Sequence, residues 1–378
     1  MLNLSWLTMV RRKTVINRRE IIASIGTAAT LGLAGCSSSN GGSNDTAASE
    51  TTGDTGNGEG DETESSVDYP TEEVEIIVPY ATGGGFDAYA RLTAPYLEKH
   101  LPNDVTVTVK NVVGGGGVKG TTETYNADPD GHTLMIWDAY QGVTQQIGRN
   151  VGYQLQEMSH IGAVTQSPNS LISMESAGIS GWDDFVNRID ELNFATQGVG
   201  AISHTGVVLL GELTGAWAEE DVNFVHYGGT GEALSGLERG EADVFLVGPA
   251  TSGLKVVKAL NSEMTIMFSD PVGEDSIYHG VPKQYSGDLD IENMDQYARL
   301  TRFRRFFTGP PGVPEEILEI QRNAFSKIIQ DEEFLQETSE KGRPIVNPGS
   351  ADQVSEVMGE QFETFGSSPM KGIIQGVF

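Results

Sequence analysis

Val74-Glu-Ile-Ile-Val-Pro-Tyr-Ala-Thr-Gly-Gly-Gly-Phe-Asp87 decides how the rest of the chain is read. Glu75 to Val78 is a short apolar run and predicts a buried strand. Pro79 and then Gly83-Gly84-Gly85 end it. Beyond Asp87, Tyr89, Ala90, Leu92, Leu97 and Leu101 recur at three and four, the spacing of a helix face. The order is strand, glycine loop, helix. Glycine lets the backbone turn tightly and leaves its N–H groups uncovered. A helix start carries unpaired N–H groups and partial positive charge, so the stretch reads as a socket for a carboxylate or phosphate. Gly83-x-Gly85-x-x-Ala88 also meets the loose dinucleotide fingerprint, a weak signal that many turns share. A loop that only turns the chain and packs helix on strand would look the same.

Upstream, residues 1–35 read as an export leader. Arg18-Arg19-Glu20 precedes an apolar run, Ile21 to Ala34, too short for a stable membrane anchor. The arginine pair is the twin-arginine pattern. Leu33-Ala34-Gly35-Cys36 resembles a lipobox, so Cys36 is expected to carry lipid at the start of the mature chain. Cys36 is the sole cysteine, which removes intrachain disulfides and cysteine-ligated metals. Residues 36–68 are acidic, Gly-, Ser- and Thr-rich and nearly free of apolar side chains, so they are expected to be a disordered tether. Such a tether reaches about 30 Å on average. The chain has 24 basic and 53 acidic side chains, net −29. From residue 36 onward the balance is 19 against 52, or −33. That charge argues against nucleic acid and resembles the surface of proteins from high-salt cells. An anion site in such a chain favours backbone N–H donors.

The glycine-loop pattern recurs. Val105 to Val109 and His132 to Trp137 read as further strands, separated by the Gly114–Gly117 run and a helix at 121–125. Strands alternating with helices predict doubly wound, mostly parallel α/β sheets, which bind ligands at the carboxyl ends of their strands. Asn193 to Thr196 reads as a strand entering Gln197-Gly198-Val199-Gly200-Ala201-Ile202-Ser203. Ser203 is the expected N-cap of a helix from His204 to Thr214. Two sockets, one per lobe, suggest a cleft. The lobes are expected at 69–167 with 276–378, and at 168–275. Met264 to Phe268 reads as the last strand of the second lobe.

From about Pro70 to Val346 the chain resembles the substrate-binding proteins of the tripartite tricarboxylate transporters. Several blocks carry the resemblance in order: Ile77-Val78-Pro79-Tyr80 with Gly83-Gly84 and Asp87; Asn111 with Gly114, Gly117 and Gly120; Pro129 to Leu134; Phe194-Ala195-Thr196 with Gly198, Gly200 and Ser203-His204; Tyr227 and Gly229 with Gly240 to Asp243; and Pro310 to Pro314. The resemblance implies a two-lobed, Venus-flytrap fold and an extracytoplasmic solute receptor that holds a small carboxylate and delivers it to membrane transporter subunits. It places the first ligand loop at Tyr80, Ala81, Thr82, Gly83, Gly84, Gly85 and Asp87, with Asp138 at a neighbouring strand end. It places the second at Thr196, Gln197, Gly198, Gly200, Ser203 and His204, with Tyr227 and Gly229 alongside. The family's Pro-Tyr-Lys-Gly and Ser-Ser-Gly patterns are His226-Tyr227-Gly228-Gly229 and Ala195-Thr196-Gln197-Gly198 here. These departures bear on which carboxylate is bound.

No catalytic residue, metal or cofactor is expected. The six histidines are scattered, and no nucleophile-elbow, zinc-helix or phosphate-loop motif occurs. His204, at a helix start, fits capping or packing better than catalysis. The expected protein is a monomer on the outer face of the membrane. A tethered sensory ectodomain is the alternative, and a dinucleotide-binding enzyme a remoter one.

Overall fold

The structure, a computed structural model, describes residues 67–378; the leader, Cys36 and nearly all of the expected tether lie outside the described residues. The opening stretch forms β1 (Val74–Val78) and α1 (Gly85–His100), joined by the glycine loop. Then come β2 (Val107–Asn111), α2 (Val118–Tyr125), β3 (Thr133–Trp137), α3 (Ala139–Gly148) and β4 (Met158–Ser167). β1 pairs in parallel with β2 and β3, setting Ile76 opposite Val109 and Leu134. Val74, Ile76, Ile77 and Val78 are all buried. With both faces covered, the strand shows a run of apolar residues and no alternation. α3 begins where the sequence suggested only a strand end, because Asp138 Oδ1 accepts the Gln141 N–H and caps it.

Pro168-Asn169 carries the chain into β5 (Ser170–Met174), α4 (Trp182–Asn187), β6 (Asn193–Thr196) and α5 (Ile202–Thr214). β7 (Asn223–His226), α6 (Thr230–Glu238), β8 (Val244–Val247), α7 (Ala250–Ala259), β9 (Ser262–Met267) and β10 (Gln284–Tyr285) follow. α8 (Met294–Leu300) leads back to β11 (Phe303–Pro311). α9 (Glu315–Ile328), α10 (Glu332–Glu340), β12 (Gly349–Ser350), α11 (Ala351–Gly366) and α12 (Met370–Val377) complete the chain.

The strands make two six-stranded sheets, ordered β12-β4-β11-β3-β1-β2 and β10-β9-β5-β8-β6-β7. This is the expected two-lobed α/β fold, but the sheets are mixed where the alternation suggested mostly parallel ones. β11 runs antiparallel between β3 and β4, and β5 antiparallel between β8 and β9. The cause is the crossing itself: β4 leaves the first lobe and β11 returns to it, so they run in opposite directions. β10 pairs with β9, so β9 is not the last strand of the second lobe. The chain therefore returns between residues 286 and 303, later than the boundary at 275. Two residues of strand carry no readable period. The crossings are tied together: Asn169 Nδ2 donates to the Thr301 carbonyl at 2.8 Å, and the Phe268 N–H donates to Asn169 O at 3.0 Å.

Within the second sheet, β8 alternates between two cores. Phe245 and Val247 pack with Ile172, Met264 and Met267; Val244 and Leu246 join the core of Phe185, Phe194 and Trp217. Burial on both faces is what holds β6 and β8 with their carboxyl ends, and the loops beyond them, in place.

Candidate functional site

The first loop leaves β1 at Val78 and reaches α1 through Gly83, whose φ of +82° lies in the left-handed region. Asp87 holds this loop. Its Oδ2 accepts the Gly83 N–H at 2.8 Å and its Oδ1 accepts from Arg91 Nε at 3.0 Å. Burial raises the Asp87 carboxyl, but the bonds from Arg91, Gly83 and Asn111 outweigh it and leave the pKa below the usual value. Asn111 donates to the Tyr80 carbonyl and its Oδ1 accepts from Arg91, so a residue on β2 braces the same loop. Thr82 Oγ1 donates to Asn111 Oδ1 at 3.1 Å. Tyr80 stacks on Phe86, with ring centroids 4.5 Å apart, and donates to Gln141 Oε1 at 3.2 Å.

Gly84 is the N-cap of α1 and brings no side chain to it. Gly84 N–H bonds Ala81 O, and Ala88 N–H bonds Gly84 O. Among the described residues the N–H groups of Gly85, Phe86 and Asp87 have no acceptor. They are the open end of a sixteen-residue helix.

The second loop, after β6, is more self-contained. The Gln197 N–H donates to Ser203 Oγ at 2.9 Å, and the Gly198 N–H to Thr196 Oγ1 at 3.3 Å. The Gly200 N–H donates to His204 Nδ1 at 3.1 Å, and the Ala201 N–H to Gly198 O. The helix starts earlier than expected, with Ala201 at the N-cap; Ser203 reaches back to the loop and does not cap. Among the described residues, the N–H groups of Ile202 and Ser203 remain open at the start of α5. His204 accepts through Nδ1, packs edge-on against Phe224 and His226, and is held neutral, its pKa lowered to about 4 by burial and then by His226. It is a loop brace. Thr196 Oγ1 also meets His226 Nδ1 at 2.6 Å, and the Gln197 amide donates to Thr230 Oγ1 at 2.7 Å.

The two loops meet through the first turn of α3. Gln141 takes the Tyr80 hydroxyl from the first loop, while its neighbour Tyr140 donates to Thr205 Oγ1 of α5 at 2.9 Å. No hydrogen bond joins residues 80–87 directly to residues 196–204 among the described residues. Asp138, beneath this turn, is fully buried and has both oxygens in use, Oδ1 on Gln141 N–H and Oδ2 on Arg304 N–H at 2.8 Å. Burial pushes its carboxyl up to about 6 against those two bonds and the charges of Arg304 and Arg305. It is a tie between β3 and β11. Tyr227 turns its hydroxyl to Glu241 at 3.3 Å, away from the loop; its backbone N–H pairs with Thr196 O. Gly229 is the open N-cap of α6.

Arg305 is a residue the sequence reading did not single out. It sits on β11, buried, with its guanidinium over the rings of Tyr89 and Phe303, 4.5 Å from each centroid, and 5.3 Å from that of Phe86. A Cβ on Gly85 would lie 2.7 Å from its Nη2. Its Nε has no partner. Two arginines inside the apolar run Phe303 to Phe307 are the signal the sequence offers.

Elsewhere, Glu72, Asp130 and His132 place ligand atoms within 4.8 Å of one another at the surface. His132 Nε2 already accepts the Thr71 N–H. A surface hollow of about 280 Å³, lined by Ile161, Arg322, Phe325 and Gln353, lies at the far edge of the first sheet beside β12, away from both loops. No described helix is long and apolar enough to cross a membrane.

No family model matches the chain. A protein of Agrobacterium vitis designated UPF0065 is 30% identical over 181 residues, 47% of this chain and 51% of that protein. Protein BugT of Bordetella pertussis is 29% identical over 176 residues, 45% of this chain and 52% of BugT. These matches span about half the length of the curated relatives. In fold, MatC of Rhodopseudomonas palustris with bound malate superposes with a TM-score of 0.64 at 20% identity, covering 81% of this chain and 100% of MatC. A TctC solute-binding protein from Polaromonas gives 0.60 at 20% identity, over 82% of this chain and 100% of the neighbour. The chain is thus similar to Bug and UPF0065 proteins over about half of their length, and its two-lobed fold is the one seen in MatC and the TctC solute-binding protein.

Proposed function

We propose that the protein is an extracytoplasmic solute receptor that binds a small carboxylate on the open start of α1, with the second-lobe loop 197–203 approaching from the other side, and passes it to membrane subunits of tripartite tricarboxylate type. The twin-arginine leader and Cys36 would export the chain and hold it at the membrane by lipid. One observation carries the ligand class. Three N–H groups at Gly85, Phe86 and Asp87 point out of a helix with no side-chain cap, and the acid in that first turn is turned back onto Gly83 and Arg91. A carboxylate supplies the missing acceptors, and each bond to it is stronger than a neutral one. The malate in MatC, a neighbour of the same fold, supports this reading. In a chain of net −29, backbone donors offer an anion a site that needs no excess of basic side chains. The fold offers closure of two lobes, which a ligand favours only by binding the closed form better.

Calorimetry of the purified protein with malate, succinate, citrate, lactate and glutamate tests the ligand class. Binding of at least one carboxylate at micromolar or better Kd is expected; heat from none of them would end the proposal. Cys36→Ser should move the protein from the membrane fraction to the soluble one. Retention of that variant after a carbonate wash would remove the lipid anchor from the account.

A further inference from the structure

Arg305 lies beside the start of α1, and Lys255 stands at residue 342 next to Arg343, with no ion pair to any of the three among the described residues. Arg305 is 4% exposed, and no ion pair or side-chain hydrogen bond from its guanidinium occurs among the described residues. The acid whose charge reaches it, Asp138, already has both oxygens on backbone N–H groups. Lys255, on α7 of the second lobe, places its Nζ over Gly342 of the first, 3.4 Å from where a Cβ would stand. Next to Gly342 is Arg343, whose neighbour Pro344 accepts the Tyr89 hydroxyl at 2.9 Å. Partial desolvation of the ammonium, and then the charges of Arg343 and Arg305, hold Lys255 below its usual pKa although the side chain as a whole is exposed. None of the ion pairs among the described residues involves Lys255, Arg305 or Arg343. Tyr278, also of the second lobe, reaches the first: its hydroxyl meets Ser167 Oγ at 3.2 Å.

A buried guanidinium without a carboxylate is costly, and like charges gathered beside it raise that cost. Stacking on Phe86, Tyr89 and Phe303 offsets part of it. The acidic excess of this chain makes the absence of a partner more telling, since 53 acids were available to supply one. The open N–H groups of α1 lie against the same guanidinium through Gly85. We propose that Arg305, beside the uncapped start of α1, binds one carboxylate of a dianionic ligand, and that Lys255 and Arg343 on the two sides of the lobe junction take its second negative charge. The site thereby selects di- over monocarboxylates and makes the second lobe part of the recognition: Lys255 approaches the ligand from across the junction. This rests on the carboxylate reading above and adds to it the charge that is counted and the residues that count it.

The test is calorimetry at fixed ionic strength with malate and lactate as probes, on the wild type and on Arg305→Met, Arg305→Lys, Lys255→Ala and Arg343→Ala. The wild type should bind malate at least about 100-fold more tightly than lactate, the effect of a second charge-assisted contact. Arg305→Met should lose malate binding by about 100-fold or more, with Arg305→Lys recovering part of it. Lys255→Ala and Arg343→Ala change half-exposed or exposed side chains, so folding should be untouched. Each should weaken malate about tenfold and lactate less than about twofold. Wild-type malate binding that survives unchanged in Lys255→Ala, Arg343→Ala and a folded Arg305→Met would overturn this inference and leave the carboxylate reading standing. Equal affinity for malate and lactate in the wild type would also overturn it. A wild type that binds neither these nor the wider carboxylate panel would overturn both.

Discussion

The loops after β1 and after β6 carry the same signature, strand, glycines, helix, and end in different chemistry. In the second loop the N–H groups of Gln197, Gly198, Gly200 and Ala201 are bonded within the loop and its own helix. A Cβ on Gly200 would lie 2.1 Å from the Phe378 ring, and the titratable group at the helix start is a neutral histidine. In the first loop Gly83 and Gly84 are bonded, Gly85 to Asp87 are open, and the neighbour across Gly85 is a buried cation. A glycine turn before a helix makes a donor array in either case. Whether that array attracts an anion depends on what the fold brings alongside, and Arg305 is 220 residues away in the chain.

The largest effect should come from exchanging the glycines that make the two close approaches. Gly85→Val drives a side chain into Arg305 Nη2 and should reduce carboxylate affinity by about 100-fold with little loss of stability, since the guanidinium end can move. Gly200→Ala places a Cβ at φ +72° against Phe378 and should cost about 1–2 kcal/mol of stability while changing affinity several-fold at most. Urea unfolding and calorimetry on both variants read the difference. Equal losses of affinity would make the loops equivalent partners in binding and break the comparison.

A smaller effect separates the braces by pH. His204 is neutral in the fold with a pKa of about 4, below its unfolded value near 6.5. Its contribution is therefore complete above about pH 6.5 and is lost as pH falls toward 4, because the unfolded chain binds the proton more readily. The loss is on the order of 2–3 kcal/mol. His204→Asn keeps an acceptor for the Gly200 N–H and should flatten the stability profile between pH 6.5 and 4. An unchanged profile would show that another group, such as His160, also held near 4 by burial, carries the dependence.

The smallest effect concerns the first brace. Asp87 has its pKa lowered in the fold, so its stabilisation is present above its unfolded pKa and disappears as pH falls through the folded value. Asp87→Asn keeps one acceptor for Gly83 and loses the charge facing Arg91, which is half exposed. A loss of about 1 kcal/mol at pH 7 is expected from urea unfolding, shrinking at acid pH. A larger loss would mean that the loop depends on the ion pair more than on its backbone bond.

Much of this protein is legible locally. The β1 run, the glycines and the three-four repeat of α1 are decided by neighbours in the sequence, so strand, turn and helix appear where the pattern puts them. The strand 193–196 and the helix that Pro314 introduces follow for the same reason. Asp87 as the organiser of its loop is legible too, since Gly83 and Arg91 lie within four residues of it. The direction of β5 and β11, the addition of β10, and the bond from the Arg304 N–H to Asp138 depend on pairings 18 to 173 residues apart, and no periodicity records them. Arg305 belongs with these. Its composition and place in an apolar strand can be seen in the chain, but the three rings around it, the missing acid and the open helix end beside it exist only after the lobes have packed. Backbone geometry is a local property of residue type, whereas the balance of charge at a buried point is a sum over everything the fold brings near.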